Sequence, residues 1–226
     1  LAFSYSLDDV KRHGDFLRQL VEPVNGFIIL DLHNLYCQSH NFELDPEALL
    51  RLYPLERVRE IHISGGSWED SVLLPERPVR RDTHDDAVPA EVFRLLEHAL
   101  GICPNLKFVV LEQLGVGLDT PDRRQQFQRD FVAMKAIVRR ATMPPPTQFF
   151  QPGPSTPPGA PLEDESLHRQ QRRLSEILEN ASSCAEAQQL LAASELAGTA
   201  WETERWAPYM LETAMRIAQK WKAGFV

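Results

Sequence analysis

Short apolar runs alternate with amphipathic stretches over the first 140 or so residues. Phe27-Ile28-Ile29-Leu30 is a continuous apolar tetrapeptide, the pattern of a parallel strand covered on both faces. Val58 to Ile63 and Phe108 to Leu111 read as two more strands, and a loop over 68–80 leads into Asp82-Thr83-His84 as another strand end. Between them lie helical patterns. Ser6 or Asp8 caps a helix over Val10 to Val21 whose apolar stripe is Phe16, Leu17 and Leu20. Asp45-Pro46 opens a short helix through Leu52, Pro89 suits the first turn of a helix through Leu100, and a charged helix covers Pro121 to Arg140. Strands alternating with helices specify a parallel sheet joined by right-handed crossovers. The expected fold is therefore α/β, of the β/α-barrel type. Only about four β/α units are legible, and a closed barrel needs eight. Either half of a barrel lies in this chain or the sheet is open. Leu1 to Tyr5 reads as the end of a strand.

The pattern changes near residue 143. Met143 to Pro161 holds eight of the 17 prolines, mixed with Gly, Ser and Thr, which reads as an extended linker. Beyond it, Leu167 to Leu196 and Trp201 to Trp221 read as amphipathic helices. The expected partition is 1–142 as the barrel part, 143–162 as linker and 163–226 as a helical docking module.

Composition narrows the function classes. The net charge of −8 argues against a nucleic-acid backbone or an anionic membrane as partner. No apolar run is long enough to span a bilayer. Cys37, Cys103 and Cys184 are far apart and odd in number, so neither a thiolate zinc site nor a disulfide framework is implied, and a cytoplasmic location is the expectation.

The chemistry concentrates at strand ends. Asp31, His62, the Asp82/His84 pair and Glu112 each end or follow a predicted strand, where barrels of this class keep their reactive groups. Residues two apart on an extended segment point the same way, so Asp82 and His84 can grip one divalent ion. A single carboxylate there can simply cap the next helix. Several buried carboxylates at one mouth are costly unless paired or metal-bound, and the set therefore reads as a metal site. His33 is expected either behind the ligands or as a substitute ligand, Asp85 and Asp86 are expected to orient imidazoles, and Cys37 is expected to be packing.

Taken together, Leu30-Asp31-Leu32-His33-Asn34-Leu35-Tyr36, Glu60-Ile61-His62-Ile63-Ser64-Gly65, Asp82-Thr83-His84-Asp85 with Val88-Pro89, and Val110-Leu111-Glu112 resemble a known family. It is the multinuclear non-haem iron-dependent oxidative enzymes (domain-of-unknown-function family 692), which includes the iron subunit of methanobactin biosynthesis. The same motifs are similar to the wider xylose-isomerase-like barrel superfamily. The resemblance covers residues 1 to about 140. It implies a TIM barrel holding two or three iron ions, with Asp31, His62 and Glu112 as ligands in one region and Asn34, Asp82 and His84 around a further position. Asp82 and His84 would also be catalytic. It implies O2 as co-substrate, cysteine residues of a ribosomally made precursor peptide as substrate, and a partner protein that holds the peptide's leader. The sequence departs from the family at His33 and Gly66, where the family has Asn and His, and at Gln113-Leu114. The family's earlier ligands, two His and a Glu-Asn pair, would fall ahead of Leu1. A metal-dependent hydrolase of the same superfamily and a non-catalytic scaffold are the competing readings.

Overall fold

The structure is a computed structural model and describes residues 6–147 and 163–223. Two compact units are present, and the chain passes between them more than once. Among the described residues the first holds 6–68 and 80–147, and the second holds 69–79 and 163–223. The expected linker lies partly outside the described residues; its first part, 143–147, has no regular structure. Leu1 to Tyr5, read as a strand end, also lies outside them.

The first unit opens with α1 (Leu7–Val21), capped by Ser6, whose Oγ accepts from the Asp9 amide. The expected stripe is wrong. Phe16 and Leu20 are 59% and 58% exposed, and the buried positions are Val10, Gly14 and Val21, with Leu17 packed beside them. Positions 10, 14, 17 and 21 make the i, i+4, i+7, i+11 face, and a glycine in that row hides it from an apolar count.

Three strands form a parallel sheet in the order β1–β2–β5: β1 (Ile28–Asp31), β2 (Val58–Ile63) and β5 (Phe108–Leu111). Between β1 and β2 run α2 (Leu32–Phe42) and α3 (Pro46–Arg51), and before β5 runs α4 (Ala90–Ile102). A 20-residue helix, α5 (Pro121–Arg140), follows. Two short strands, β3 (Trp68–Glu69) and β4 (Val79–Arg80), pair separately. The Asp82-Thr83-His84 run therefore follows β4, outside the main sheet, and not a fourth parallel strand. This is a parallel-sheet α/β architecture, and the described residues hold three of its strands.

Side chains alternate across the sheet. Leu30, Ile61 and Ile63 are buried in one core with Leu32, Leu49, Leu50, Leu96 and Leu100 from the helices. The other face carries Ile29 and Asp31, Glu60 and His62, and Phe108 and Val110, which the register sets in two rows, Ile29–Glu60–Phe108 and Asp31–His62–Val110. Ile29 and Phe108 are 54% and 58% exposed. The expectation that β1 is covered on both faces fails here, because among the described residues nothing covers Ile29 on its second face.

In the second unit the two long helices expected from sequence are broken up. The first becomes α6 (Glu165–Asn180) and α7 (Cys184–Ala192), and the second becomes a 3-10 turn at Thr203–Arg205 followed by α8 (Pro208–Ala223). A capping box makes the first break: Ser183 Oγ accepts from the Glu186 amide, and the Glu186 carboxylate accepts from the Ser182 amide. Leu174, Ile177, Leu178, Leu191, Leu196, Leu211 and Met215 form the core. Glu212 on α8 is 5% exposed and accepts from Ser71 Oγ (2.7 Å) and the amides of Val72 (2.6 Å) and Leu73 (3.2 Å), which fastens the 69–79 excursion to the helices of this unit.

Candidate metal centre

The ends of β1, β2 and β5 lie level. Asp31 is the register partner of His62, and the Glu112 amide donates to Ile63 O at 2.9 Å, so the first unit delivers three of the expected residues to one edge. The 82–86 segment supplies the others. It can pass close to the end of β2 only because positions 65 and 66 have no side chain. A Cβ at Gly65 would lie 2.1 Å from Ala87 O, and one at Gly66 would lie 2.2 Å from Arg81 O and 2.9 Å from His33 Cε1. A side chain at 66 would therefore collide with the 81–83 segment in this chain. His84 takes φ 52°, in the left-handed region, at a cost on the order of 1–2 kcal/mol, and its carbonyl is held by the Leu114 amide at 2.7 Å.

All six expected residues join one hydrogen-bonded cluster. Asp31, His84 and Glu112 each offer a ligand atom within 4.8 Å of the others. Glu112 also lies 2.8 Å from His62 Nδ1 and 3.4 Å from His84 Nδ1. Asp82 takes three donors: His33 Nδ1 at 2.8 Å, His84 Nε2 at 2.9 Å and Asn34 Nδ2 at 2.9 Å. Asn34 thus meets Asp82 directly. Asp31 also fills its bland role, since its Oδ1 accepts from the Asn34 amide at 2.8 Å as the N-cap of α2.

Two expectations change. Asp85 and Asp86 do not orient imidazoles; Asp85 accepts from the Thr83 hydroxyl and Asp86 from the Ala87 amide. The carboxylate that fixes an imidazole from behind is Glu60, 2.6 Å from His62 Nε2. Sequence reasoning missed it, although Glu60 stands two residues before His62 on the same strand and period two places both on one face. Cys37 is packed as expected, its Sγ 3.7 Å from His33 Nε2, and burial pushes its thiol well up.

The electrostatics are one-sided. Asp31, Glu60, Asp82 and Glu112 converge, and among the described residues none is paired with a lysine or arginine. Two unit charges at 4.8 Å repel by about 3 kcal/mol at an effective dielectric of about 20, a large term against a typical domain stability of about 5–15 kcal/mol. Burial alone would raise the Asp82 carboxyl, but the hydrogen bonds from His33 and His84 outweigh it and hold it well below the ordinary range. The hydrogen bond to Asp82 raises the His84 imidazole against its partial burial, and the charges of Asp82, Glu112 and Asp31 add to the shift. Oxygen and imidazole donors in this arrangement suit a divalent first-row metal, whose ligand bonds of about 2.0–2.2 Å need only small closing movements from these positions. The donor set fits such an ion.

Residues 4–114 match the sequence profile of the RiPP precursor modification enzymes MbnB/TglH/ChrH, a span that contains all six clustered residues. Over that span the chain is similar to this family. Similar proteins include a UPF0276 protein of Caulobacter vibrioides, 32% identical over 94 residues, or 42% of this chain and 31% of the relative. A UPF0276 protein of Shewanella oneidensis is 33% identical over 94 residues (40% and 32%), and one of Anaeromyxobacter sp. is 35% identical over 81 residues (36% and 26%). The chain spans about a third of the length of these relatives. All of α5 and the whole helical part of the second unit fall outside the matched span. No described helix is long and apolar enough to cross a membrane.

Proposed function

We propose that this chain carries part of the catalytic centre of an iron-dependent enzyme that oxidises cysteine residues of a ribosomally made peptide with O2. The observation that carries the reading is the convergence of four carboxylates and three imidazoles, with none of the carboxylates paired to a lysine or arginine among the described residues. Asp31, His84 and Glu112 would hold one ion, with His62 at the Glu112 side, and Asp82 with Asn34 would serve a neighbouring position. Two or three iron ions, when bound, would supply a place for thiolate and O2 and a store of electrons. The chain's own residues do the positioning. Glu60 fixes the His62 ring, while His33 and Asn34 fix the Asp82 carboxylate. Asp82 holds the proton on His84 Nε2, which makes this pair the proton-handling group of the site. The substrate is a precursor peptide, and a separate leader-binding protein would present it.

Anaerobic purification with Mössbauer spectroscopy and oxygen-consumption measurements tests the reading. Iron is expected, with His84→Ala releasing it and abolishing thiol-dependent oxygen uptake. A preparation holding only zinc, inert to oxygen but active on phosphodiesters, would replace this proposal with the hydrolytic one.

A further inference from the structure

Arg80 is buried and makes no ion pair among the described residues. It is 3% exposed, its Nε has no hydrogen-bond partner, and no carboxylate among the described residues pairs with it. Its backbone is pinned on both sides by Asn41, whose Oδ1 accepts from the Arg80 amide (2.8 Å) and whose Nδ2 donates to the Arg80 carbonyl (2.9 Å). Its guanidinium lies against two rings, with Cζ 4.7 Å from the centroid of Trp68 and 5.7 Å from that of Tyr36. Trp68 is itself 43% exposed, and His40 meets its ring edge-on at 4.8 Å.

Cation–π contacts offset only part of what it takes to desolvate a guanidinium, and buried arginines ordinarily find an anion. The planar fork of donors is matched to a carboxylate, which takes two parallel hydrogen bonds. Arg80 also stands two residues ahead of Asp82, and its charge reaches the neighbourhood of the cluster. Burial is the main cause of the raised Cys37 thiol, with Asp82 adding to it and Arg80 opposing it. A positive charge two residues ahead of Asp82, at the end of β4, is thus held against aromatic rings and not paired with the clustered carboxylates.

We propose that the Arg80 guanidinium, walled by Trp68 and Tyr36, is the receptor for a carboxylate of the bound peptide. This rests on the peptide-modifying reading and adds the group by which the peptide is anchored. The carboxylate enters beside Trp68 and accepts from Nε and the adjacent Nη, while the rest of the peptide extends toward the cluster. A terminal carboxylate and an Asp or Glu side chain offer the same chemistry.

The test uses the full chain, metal-free and iron-loaded, with three probes: acetyl-Gly-Cys-Gly with a free C-terminus, the same peptide amidated, and acetyl-Asp-Cys-Gly-amide. The NMR signal of the Arg80 Nε–H, assigned with Arg80→Lys, is followed alongside calorimetric affinity. A carboxylate-bearing probe is expected to move that signal and to bind about tenfold or more tightly than the neutral one, with or without iron. Which of the two acidic probes does so identifies a terminal or a side-chain source. Arg80→Lys, which keeps the charge but not the fork, should reduce the preference to under about threefold. Equal affinities with an unmoved signal, or no binding of any probe, overturn the proposal, and the wild-type signal decides even if the variant does not fold. A carboxylate effect in a chain that takes up no iron would leave Arg80's role standing and refute the oxidative reading alone.

Discussion

Gly66→Ala perturbs the backbone beside the centre while removing none of the proposed ligands. The new Cβ would stand 2.2 Å from Arg81 O, 2.9 Å from Thr83 N and 2.9 Å from His33 Cε1. Two of these three atoms are backbone, so no flexible side chain can swing away, and relief requires moving the 81–83 segment that carries Asp82. Overpacking of this kind costs about 1–3 kcal/mol, and a backbone clash belongs at the upper end. Hydrogen exchange of the β2 amides, read by mass spectrometry, isolates the first unit; protection should fall by about tenfold to a hundredfold or more. Because Asp82 moves, metal affinity should fall as well. Gly101→Ala is the control. Nothing lies within 4 Å of a Cβ at that position in α4, and the helix should gain up to about 1 kcal/mol. If Gly66→Ala left both protection and metal affinity unchanged, the close passage of 81–83 across the end of β2 would be refuted.

Three further outcomes follow from particular contacts. Glu212→Ala leaves Ser71 Oγ and two amides without their acceptor and should destabilise the second unit by about 3 kcal/mol or more, with loss of amide protection confined to 71–74 and the helices; Glu212→Gln, which can still accept, should lose less. Native protein treated with iodoacetamide at pH 8 should be modified at Cys184, while Cys37 and Cys103 react only after unfolding, because burial pushes the Cys103 thiol up to about 12 and that of Cys37 well up; modification of Cys37 at a comparable rate would contradict its packing. Burial raises the Asp130 carboxyl against the hydrogen bonds it accepts from the Val88 amide and Gln126. Its folded value is above its unfolded one, so its stabilising contribution is present below the ordinary carboxylate value and is lost as pH rises through the raised one. Asp130→Asn should remove that fall from the denaturation curves, and an unchanged pH dependence would count against it.

The strand-end part of the cluster was legible because parallel strands bring Asp31, His62 and Glu112 level. Asp82 and His84 meet for a different reason than the expected period of two, since the segment is no strand and His84 turns through the left-handed region. Glu60 was equally legible by period two but lacked a motif to draw notice. The Ser183-to-Glu186 capping box was also visible, and reading it would have split α6 from α7. Other features were out of reach for a physical reason. The 69–79 excursion belongs with α8 through a bond between residues 141 positions apart, and no local pattern encodes such a pairing. Arg80 reads as one more charge in a polar loop; only the packing of Trp68 and Tyr36 around it reveals a buried cation. The exposed face of the sheet misled for a similar reason, since Ile29 and Phe108 look like core residues whatever covers them.

The central claim is that the side chains of Asp31, His84 and Glu112 close on one metal ion. An anomalous difference map at the iron edge, from crystals grown anaerobically with Fe(II), tests it most directly. The account predicts a peak bonded to one oxygen of Asp31, one ring nitrogen of His84 and one oxygen of Glu112. Density for those three side chains with no peak among them, or a peak elsewhere in the molecule, would contradict it.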